Sequence, residues 1–250
     1  MSGRRLISRR EGEGNNSMSE EDKALVRRWT DEVLTRGNIW EVDEIFTPNY
    51  VLHDPSFVQE VHGREGIKQY ATTLRAASPD VCFTVEDQIA EREMVVTRWT
   101  GRGTHHEEFL GIPPTGNPMM MSGIQFDRVV DGSIDETWVS YHLFTDNAPD
   151  PEQVKRVLSM MHHAFPDLQV TQADSVAEGD KVAFRWMMSG THEGELMGIA
   201  PTGEKVTVMG IDIVRIGNDA EILDYWGEFD VMGLLRQLGI TNPPPERTES

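Results

Sequence analysis

Gly111-Ile112-Pro113-Pro114-Thr115-Gly116 returns 87 residues later as Gly198-Ile199-Ala200-Pro201-Thr202-Gly203. Shifting the chain by 87 positions aligns residues 79–128 with residues 166–215, and 21 of the 50 aligned positions are identical without a gap. After one inserted residue the match continues with two further pairs, Ile134 with Ile222 and Trp138 with Trp226. Self-similarity at one period over this length indicates a tandem duplication.

The two copies differ in their helical segments. In the first copy, apolar residues recur at helical spacing over residues 21–35 and 64–76, which predicts two helices before the aligned region. In the second copy, the same spacing predicts one leading helix over residues 151–164 and a short closing helix over 230–238. The second copy therefore has no counterpart of residues 20–55, and it is the shorter of the two.

Both copies continue with segments of strand character, rich in β-branched and aromatic residues and separated by turns. The segments are Cys82–Gln88, Met94–Thr100, Met119–Val130 and Ile134–Phe144 in the first copy, and Val170–Val176, Val182–Met188, Val206–Ile216 and Ile222–Phe229 in the second. Helices followed by a mostly antiparallel sheet predict an α+β fold, formed twice. We expect a first domain at 19–146, a second, shortened domain at 149–240, and disordered tails at 1–18 and 241–250.

The composition narrows the classes of function. With 42 acidic and 23 basic residues the net charge is −19, so the phosphates of a nucleic acid would be repelled. No apolar run is long enough to cross a membrane, and Cys82, the only cysteine, excludes an internal disulfide and a multi-cysteine zinc site. There is no glycine-rich phosphate loop and no convincing metal-ligand spacing. The sequence predicts a cytoplasmic protein that uses neither cofactor nor metal.

The motifs in combination resemble the SnoaL-like polyketide cyclase and ester cyclase family. They are Phe165-Pro166-Asp167-Leu168, Gly190-Thr191-His192, Gly198 to Gly203, Gly210-Ile211-Asp212, Trp226 with Asp230, and His53-Asp54-Pro55 in the first copy only. The resemblance implies a cone-shaped α+β barrel, like that of nuclear transport factors, with a mostly apolar pocket for a small molecule. Because family members commonly pair through their sheets, it also implies an internal pseudo-dimer, and leaves open whether the chain pairs again as a homodimer.

Asp212 is the strongest catalytic candidate. On a strand over Val206–Ile216, alternate residues share a face, so Asp212 would be the one carboxylate in an apolar row. Burial there would raise its pKa towards a range useful for acid–base chemistry. The resemblance implies the same role, because a pocket aspartate of this family acts as the acid and base of an intramolecular aldol condensation. The alternative is an aspartate that points outward or only bonds to a neighbouring strand.

The first copy has Gln125 at the position of Asp212. An amide binds a carbonyl but does not take up a proton at neutral pH. Asp127, two residues further on the same predicted face, is a possible substitute for the missing carboxylate. If Asp127 does not take this role, we interpret the first copy as a domain with a structural function and no catalytic one.

His192 is the second catalytic candidate, since a histidine at a strand end could polarise a carbonyl or orient Asp212. A structural role is the alternative, because His105 repeats it in the first copy. The candidate substrate-binding residues are His53, Gln125, Trp186 and Trp226. Two repeated arginines, Arg98 and Arg185, are expected to pair with an aspartate or glutamate between the two sheets rather than to bind a substrate carboxylate.

Two classes of function follow from these observations. One is a cofactor-independent enzyme of the cyclase or lyase type that acts on a small apolar carbonyl or ester compound. The other is a non-catalytic binding or assembly module, because a fold does not determine a function. Gln125 and the shortened second copy favour the second class, whereas Asp212 favours the first.

Overall fold

A computed structural model describes residues 19–57, 59–110, 112–143 and 151–240. The tails predicted at 1–18 and 241–250 lie outside these residues. The described chain forms two halves, and each is built on its own sheet. This arrangement confirms the predicted α+β fold, formed twice.

The helices of the first half precede its main strands and cover one face of its sheet. Helix α1 covers residues 19–28 and continues as the π-helical segment Trp29–Thr35. A 3₁₀ turn at Ile39–Glu41 leads into the short helix α2, Val42–Ile45. Helix α3, Gly63–Ala77, buries a stripe of apolar side chains at helical spacing, which are Ile67, Ala71, Leu74 and Ala77.

Six strands form the first sheet, in the order β2-β1-β6-β5-β4-β3. They are β1 (Phe46–His53), β2 (Val61–His62), β3 (Cys82–Glu91), β4 (Met94–Thr104), β5 (Pro118–Val130) and β6 (Ser133–Leu143). All neighbours pair antiparallel except β1, which runs parallel to β6. The strand pairs of the repeated region were therefore predicted correctly.

The second half repeats the last four strands and one helix of the first. Its elements are α4 (Pro151–Ala164), β7 (Gln169–Glu178), β8 (Lys181–Thr191), β9 (Lys205–Ile216), β10 (Ile222–Phe229) and α5 (Val231–Gln237). The sheet order is β10-β9-β8-β7, antiparallel throughout. Among the described residues nothing pairs with the outer edge of β10, where the first half has β1.

The repeated sequence motifs connect each leading helix to its sheet. Asp80 accepts hydrogen bonds from the backbone N and the Oγ1 of Thr104, both at 2.8 Å. Asp167 accepts the same two bonds from Thr191, at 2.6 and 2.8 Å. The conserved spacing of Pro-Asp and Gly-Thr in the two copies is therefore explained by a loop contact made twice.

The two sheets pack against each other through one apolar face of each. Ile124 and Phe126 of β5 lie in a single buried cluster with Ile211 and Ile213 of β9. The alternate residues of the same strands point away from this contact, into the interior of each half. The cluster is completed by Ile89, Val96, Val176 and Ala183, with Met94, Trp138 and Trp226 packed around it.

Polar contacts between the halves are related by the repeat. The carboxylate of Glu178 accepts from the backbone N of Ala90 at 2.9 Å, and Glu91 accepts from the backbone N of Ala177 at 3.0 Å. These two bonds are equivalent under the shift of 87 residues. Glu178 also binds the ammonium of Lys23 at 2.7 Å, a contact with no equivalent at Glu91 in the described chain.

The two repeated arginines stack on tryptophans across the same interface. The guanidinium of Arg98 lies 5.0 Å from the ring centroid of Trp226, and that of Arg185 lies 4.2 Å from that of Trp138. Each arginine therefore contacts the aromatic ring of the other half. Arg185 also pairs with Asp174 of its own sheet, whereas no ion pair of Arg98 occurs within the described ranges, so the expected acidic partner is found for Arg185 alone.

Candidate functional site

The first half encloses a cavity between its sheet and its helices. The space open to a water-sized molecule is ≈ 40 Å³, and most of the lining is aliphatic or aromatic. A volume of this size holds two or three water molecules or a very small ligand. The polar side chains on the wall are Thr30, Tyr50, Tyr70, Gln125, Thr137 and Tyr141.

Gln125 lines the cavity, as its assignment to substrate binding requires, but part of its amide is engaged. Its Nε2 donates to Asp127 at 2.7 Å, and Thr137 donates to the other oxygen of Asp127 at 2.7 Å. Asp127 is only 1% exposed and does not line the cavity. Burial raises the pKa of Asp127 to about 6, although the two hydrogen bonds oppose the rise.

His53 and Asp54 point in opposite directions from the end of β1. The His53 ring stacks on Trp138 at 5.2 Å, and its two nitrogens lie 2.8 Å from the carboxylates of Glu60 and Glu136. His53 is not on the cavity wall. The sequence pattern left open which of the two residues faces inward, and the structure places Asp54 there.

Asp54 lies behind the cavity wall and is 5% exposed. Its Oδ2 accepts from the hydroxyls of Tyr70 and Tyr141, both at 3.3 Å, and its Oδ1 accepts from the backbone N of Ser56 at 2.9 Å. Burial raises the pKa of Asp54 to about 6, against the effect of these hydrogen bonds. Asp54 and its two tyrosine partners were not among the predicted site residues, although Tyr70 packs partly buried against the core of the first half.

In the second half, Asp212 lies on the face of β9 that points away from the first sheet. It shares this face with Val206 and Val208, which are buried against α4 and α5. β9 pairs with β8 without a register shift, so no bulge turns Asp212 outward. Asp212 is 8% exposed, and burial raises its pKa to about 6, with the charge of Glu228 adding to the rise.

Tyr225 is the hydrogen-bond partner of Asp212 and was not predicted. Its hydroxyl donates to Oδ1 at 2.9 Å, and its pKa is well above the ordinary value because it is buried beside this carboxylate. Gly227 lies opposite Asp212 in the ladder, and a Cβ there would be 2.3 Å from the Tyr225 hydroxyl and 2.6 Å from Oδ1. The glycine therefore provides the space in which the pair meets.

The two tryptophans assigned to substrate binding lie on opposite sides of the second sheet. Trp186 is partly buried in the interior of the second half, where it packs near Phe229. Trp226 packs between the two sheets under Arg98. The alternation of β10 explains this placement, because the residue before Trp226 is Tyr225, which reaches Asp212.

His192 lies in the turn after β8, away from Asp212. Phe184 is the residue opposite Asp212 in the ladder, so the two groups are separated by eight residues of strand, on the order of 26 Å. The Nδ1 of His192 lies 3.1 Å from the hydroxyl of Thr202, and His105 makes the same contact with Thr115 at 3.3 Å. These contacts support a role in the turn, and a catalytic role of His192 stays a prediction.

Within the described ranges, no three histidine, cysteine, aspartate or glutamate side chains converge as the ligands of a metal ion would. No helix of the described residues is both long and apolar enough to cross a bilayer. The side chains named at the two sites carry carboxyl, hydroxyl, amide and indole groups.

Both halves match a known family. The model of the SnoaL-like polyketide cyclases matches residues 24–148 and again residues 139–238. Among proteins of curated function, none matches the chain.

Several solved structures are similar to one half of the chain. A candidate polyketide cyclase from Acidithiobacillus ferrooxidans is 31% identical, and the match covers 56% of this chain and 94% of that one with a TM-score of 0.44. IdmH, a candidate polyketide cyclase from Streptomyces antibioticus, is 30% identical over 48% of this chain and 91% of its own, with a TM-score of 0.42. AclR, a candidate hydroxylase from Streptomyces galilaeus, is 26% identical over 50% and 90%, with a TM-score of 0.44.

The family model covers well over half of the chain and occurs once in each half, in agreement with the sequence repeat and with the two sheets. The chain belongs to the SnoaL-like polyketide cyclase family, with two tandem copies of its domain.

Proposed function

We propose that this chain carries out cofactor-independent acid–base chemistry on a small apolar compound with a carbonyl or ester group, and that Asp212 transfers the proton. The observation that carries the proposal is a carboxyl group on an otherwise apolar sheet face, with a pKa of about 6 and 8% of its surface still exposed. A carboxyl of this kind exists in both protonation states near neutral pH, as a group that alternates between acid and base must.

The reaction that fits one such carboxyl is an intramolecular aldol condensation. The Asp212 carboxylate takes a proton from the carbon beside a carbonyl group and leaves an enolate. The enolate carbon forms a bond to a second carbonyl carbon of the same molecule, whose oxygen becomes an alkoxide. The alkoxide takes the proton back from Asp212, so that the product is an isomer of the substrate and the carboxylate is restored.

The neighbours of Asp212 support this role. The hydroxyl of Tyr225 donates to Oδ1, and the side chain of Trp186 also lowers the pKa of this carboxyl, so both neighbours can hold Asp212 in position for a substrate proton. Trp186 and Phe229 supply flat apolar surface in the same interior. Because the second half has no counterpart of residues 20–55, a substrate larger than the first cavity admits can approach this face.

The test compares the wild type with Asp212→Asn in a metabolite extract of the source organism, with mass spectrometry of each compound over time. The exposed turn residue Asp219 provides the matched control, Asp219→Asn. We expect a compound that the wild type and the control consume and Asp212→Asn does not. Consumption by all three proteins would contradict the role of Asp212, although it would still show that the chain is an enzyme.

A non-catalytic binding module is the second candidate. One observation favours it: the enclosed cavity lies in the first half, where Gln125 replaces the carboxylate and Asp127 is out of reach. Absence of turnover by the wild type, together with saturable binding of a compound from the same extract, would support this candidate over the enzyme.

A further inference from the structure

The hydroxyl groups on the wall of the first cavity share an unusual orientation. Tyr70 and Tyr141 both direct their hydrogens away from the cavity, to Oδ2 of Asp54. Thr137 directs its hydrogen to Asp127. A hydroxyl oxygen that has given its one hydrogen to a carboxylate can only accept further hydrogen bonds. These three hydroxyl groups therefore present acceptors to the cavity where they could equally have presented donors.

The position of Asp54 fixes this orientation. Its Oδ1 is held by the backbone N of Ser56, so Oδ2 is the oxygen that faces the two tyrosines. The loop is held in turn by Arg236 of α5, whose guanidinium donates to the carbonyl oxygens of Pro55 and Ser56 at 2.6 and 2.8 Å. The carboxylate cannot rotate without breaking these contacts.

The ionisation states agree with the geometry. Burial beside Asp54 holds the pKa of Tyr70 and Tyr141 well above the ordinary value for tyrosine, so both hydroxyls keep their hydrogens. The pKa of Asp54 is about 6, so its carboxyl is ionised at pH 8 and can only accept. At this pH each tyrosine can bond to the carboxylate only by donating its hydroxyl hydrogen to it.

A further polar group on the wall lacks a partner. Trp99 lines the cavity and is 8% exposed, and its indole Nε1 makes no hydrogen bond to any described residue. An unpaired buried donor costs free energy, which a bound oxygen atom would recover. A hydroxyl group can accept from this indole and donate to a tyrosine oxygen at once, whereas a ketone can only accept.

We propose that the first cavity is a second ligand site, selective for a small uncharged molecule that carries a hydroxyl group, and that Asp54 is its specificity-determining residue. The ligand donates its hydroxyl hydrogen to the oxygen of Tyr70 or Tyr141. This site is separate from Asp212 and does not depend on the chemistry proposed there.

The substitution Asp54→Asn reverses the direction of the hydrogen bonds to Tyr70 and Tyr141. The Asn oxygen can keep the bond from Ser56, which places the amide nitrogen where Oδ2 was. Its two hydrogens then donate to the oxygens of Tyr70 and Tyr141, which turns the tyrosine hydrogens into the cavity. With two donors facing the cavity, the variant favours a ligand with a carbonyl oxygen over one with a hydroxyl group.

The probes are 2-propanol and acetone, which share one carbon skeleton and are among the smallest organic molecules that differ only in a hydroxyl or a ketone group. Binding is followed at pH 8 by the ¹³C-methyl signal of Met121, which lines the cavity, with the exposed Met187 as the reference for solvent effects. We expect wild type to bind 2-propanol about fivefold more tightly than acetone, the effect of one hydrogen bond. In Asp54→Asn the ratio should fall to one or below.

The comparison is made between the affinity ratios, 2-propanol over acetone, of wild type and Asp54→Asn. The solvation of the probes and the contribution of Gln125 are the same in both proteins and therefore cancel. Equal affinities in wild type, an unchanged ratio in Asp54→Asn, or no response of Met121 to either probe would each overturn the proposal. If Asp54→Asn does not fold, the double variant Tyr70→Phe, Tyr141→Phe removes both acceptor oxygens and should abolish the preference. Asp212→Asn should keep the wild-type ratio, so the two proposals fail separately.

Discussion

The two halves share four strands but place their buried acids differently. At equivalent positions of β5 and β9, the first half has Gln125 and Asp127 where the second has Asp212 and Val214. In the first half the acid lies beneath Gln125 and Thr137, which occupy both of its oxygens. In the second half the hydroxyl of Tyr225 donates to Oδ1 of the acid, and the side chain of Trp186 also lowers the pKa of this carboxyl. A shift of two residues along one face thus gives the two buried carboxylates different partners.

The halves also differ in what covers that face. In the first half the π-helical segment, α3 and β1 line a small cavity. In the second half only α4 and α5 cover this face, and Val170 of the edge strand β7 is 61% exposed. The two halves therefore share their repeated strands and the contact between the sheets, while their interiors are covered differently.

The largest expected effect is the loss of folding when the second half is expressed alone. A fragment of residues 149–250 would expose Ile211 and Ile213, which are at most 1% exposed in the full chain. Each fully buried side chain of this kind contributes about 1.5–3 kcal/mol. We expect no cooperative unfolding transition by circular dichroism. A folded monomeric fragment in size-exclusion chromatography would show that the halves are independent.

The repeated interface bonds provide the next test, because they are equivalent in position but not in surroundings. Glu178→Ala removes bonds to both Ala90 and Lys23 and should lower the free energy of unfolding by about 2 kcal/mol. Glu91→Ala removes only the bond from Ala177 and should cost about 0.5–1 kcal/mol. Urea denaturation measures both, with the exposed Glu193→Ala as the control. Equal losses would mean that Lys23 contributes nothing.

Buried acids in both halves should make stability depend on pH in a defined direction. Asp127 and Asp212 have pKa values of about 6 when folded and near 3.8 when unfolded. The folded state therefore holds the extra protons between these values, and stability falls as pH rises from about 4 to about 6. Each carboxyl accounts for on the order of 2 kcal/mol of this fall.

The measurement is urea unfolding at pH 5 and pH 7. Asp127→Asn and Asp212→Asn should each lose less stability than wild type over this interval, and Asp219→Asn should behave as wild type. A variant of either buried acid that keeps the full fall would show that the acid is ionised at both pH values.

Gly227→Ala should have a local effect on stability, confined to the second half. The added methyl group would push Tyr225 away from Asp212 at a cost of about 1–2 kcal/mol. The equivalent position in the first half is Val139, which has a side chain already. A crystal structure of the variant with the bond from Tyr225 to Asp212 intact would contradict this account of the glycine.

The repeat was sufficient to predict the four strands that the two sheets share, because alternation and turn residues occur at the same offset in each copy, whereas β1 and β2 lie outside the repeat. The helix predicted over 151–164 is observed at Pro151–Ala164. Alternation also placed Asp212 on the interior face. The position of His53 could not be predicted, since its register on a strand without a repeat is set by pairing with β6.

The site residues that could not be predicted depend on contacts between segments that are distant in the sequence. Tyr225 reaches Asp212 only through the register of β9 and β10, which contains a shift between Ile222 and Asp224. Asp54 meets Tyr70 and Tyr141 across three different elements. His192 shares a motif with the turn residues, but strand length places it far from Asp212. The spacing of residues along the sequence does not give the distances between residues on different elements.

The most direct test of the difference between the halves is the pKa of Asp212 itself. A ¹³C NMR titration of aspartate carboxyl groups, with Asp212→Asn to assign the signal, measures it in the full chain. The account predicts a midpoint at about 6. A midpoint near the ordinary value of 3.8 would mean that the open second half solvates this carboxylate and has no reactive acid.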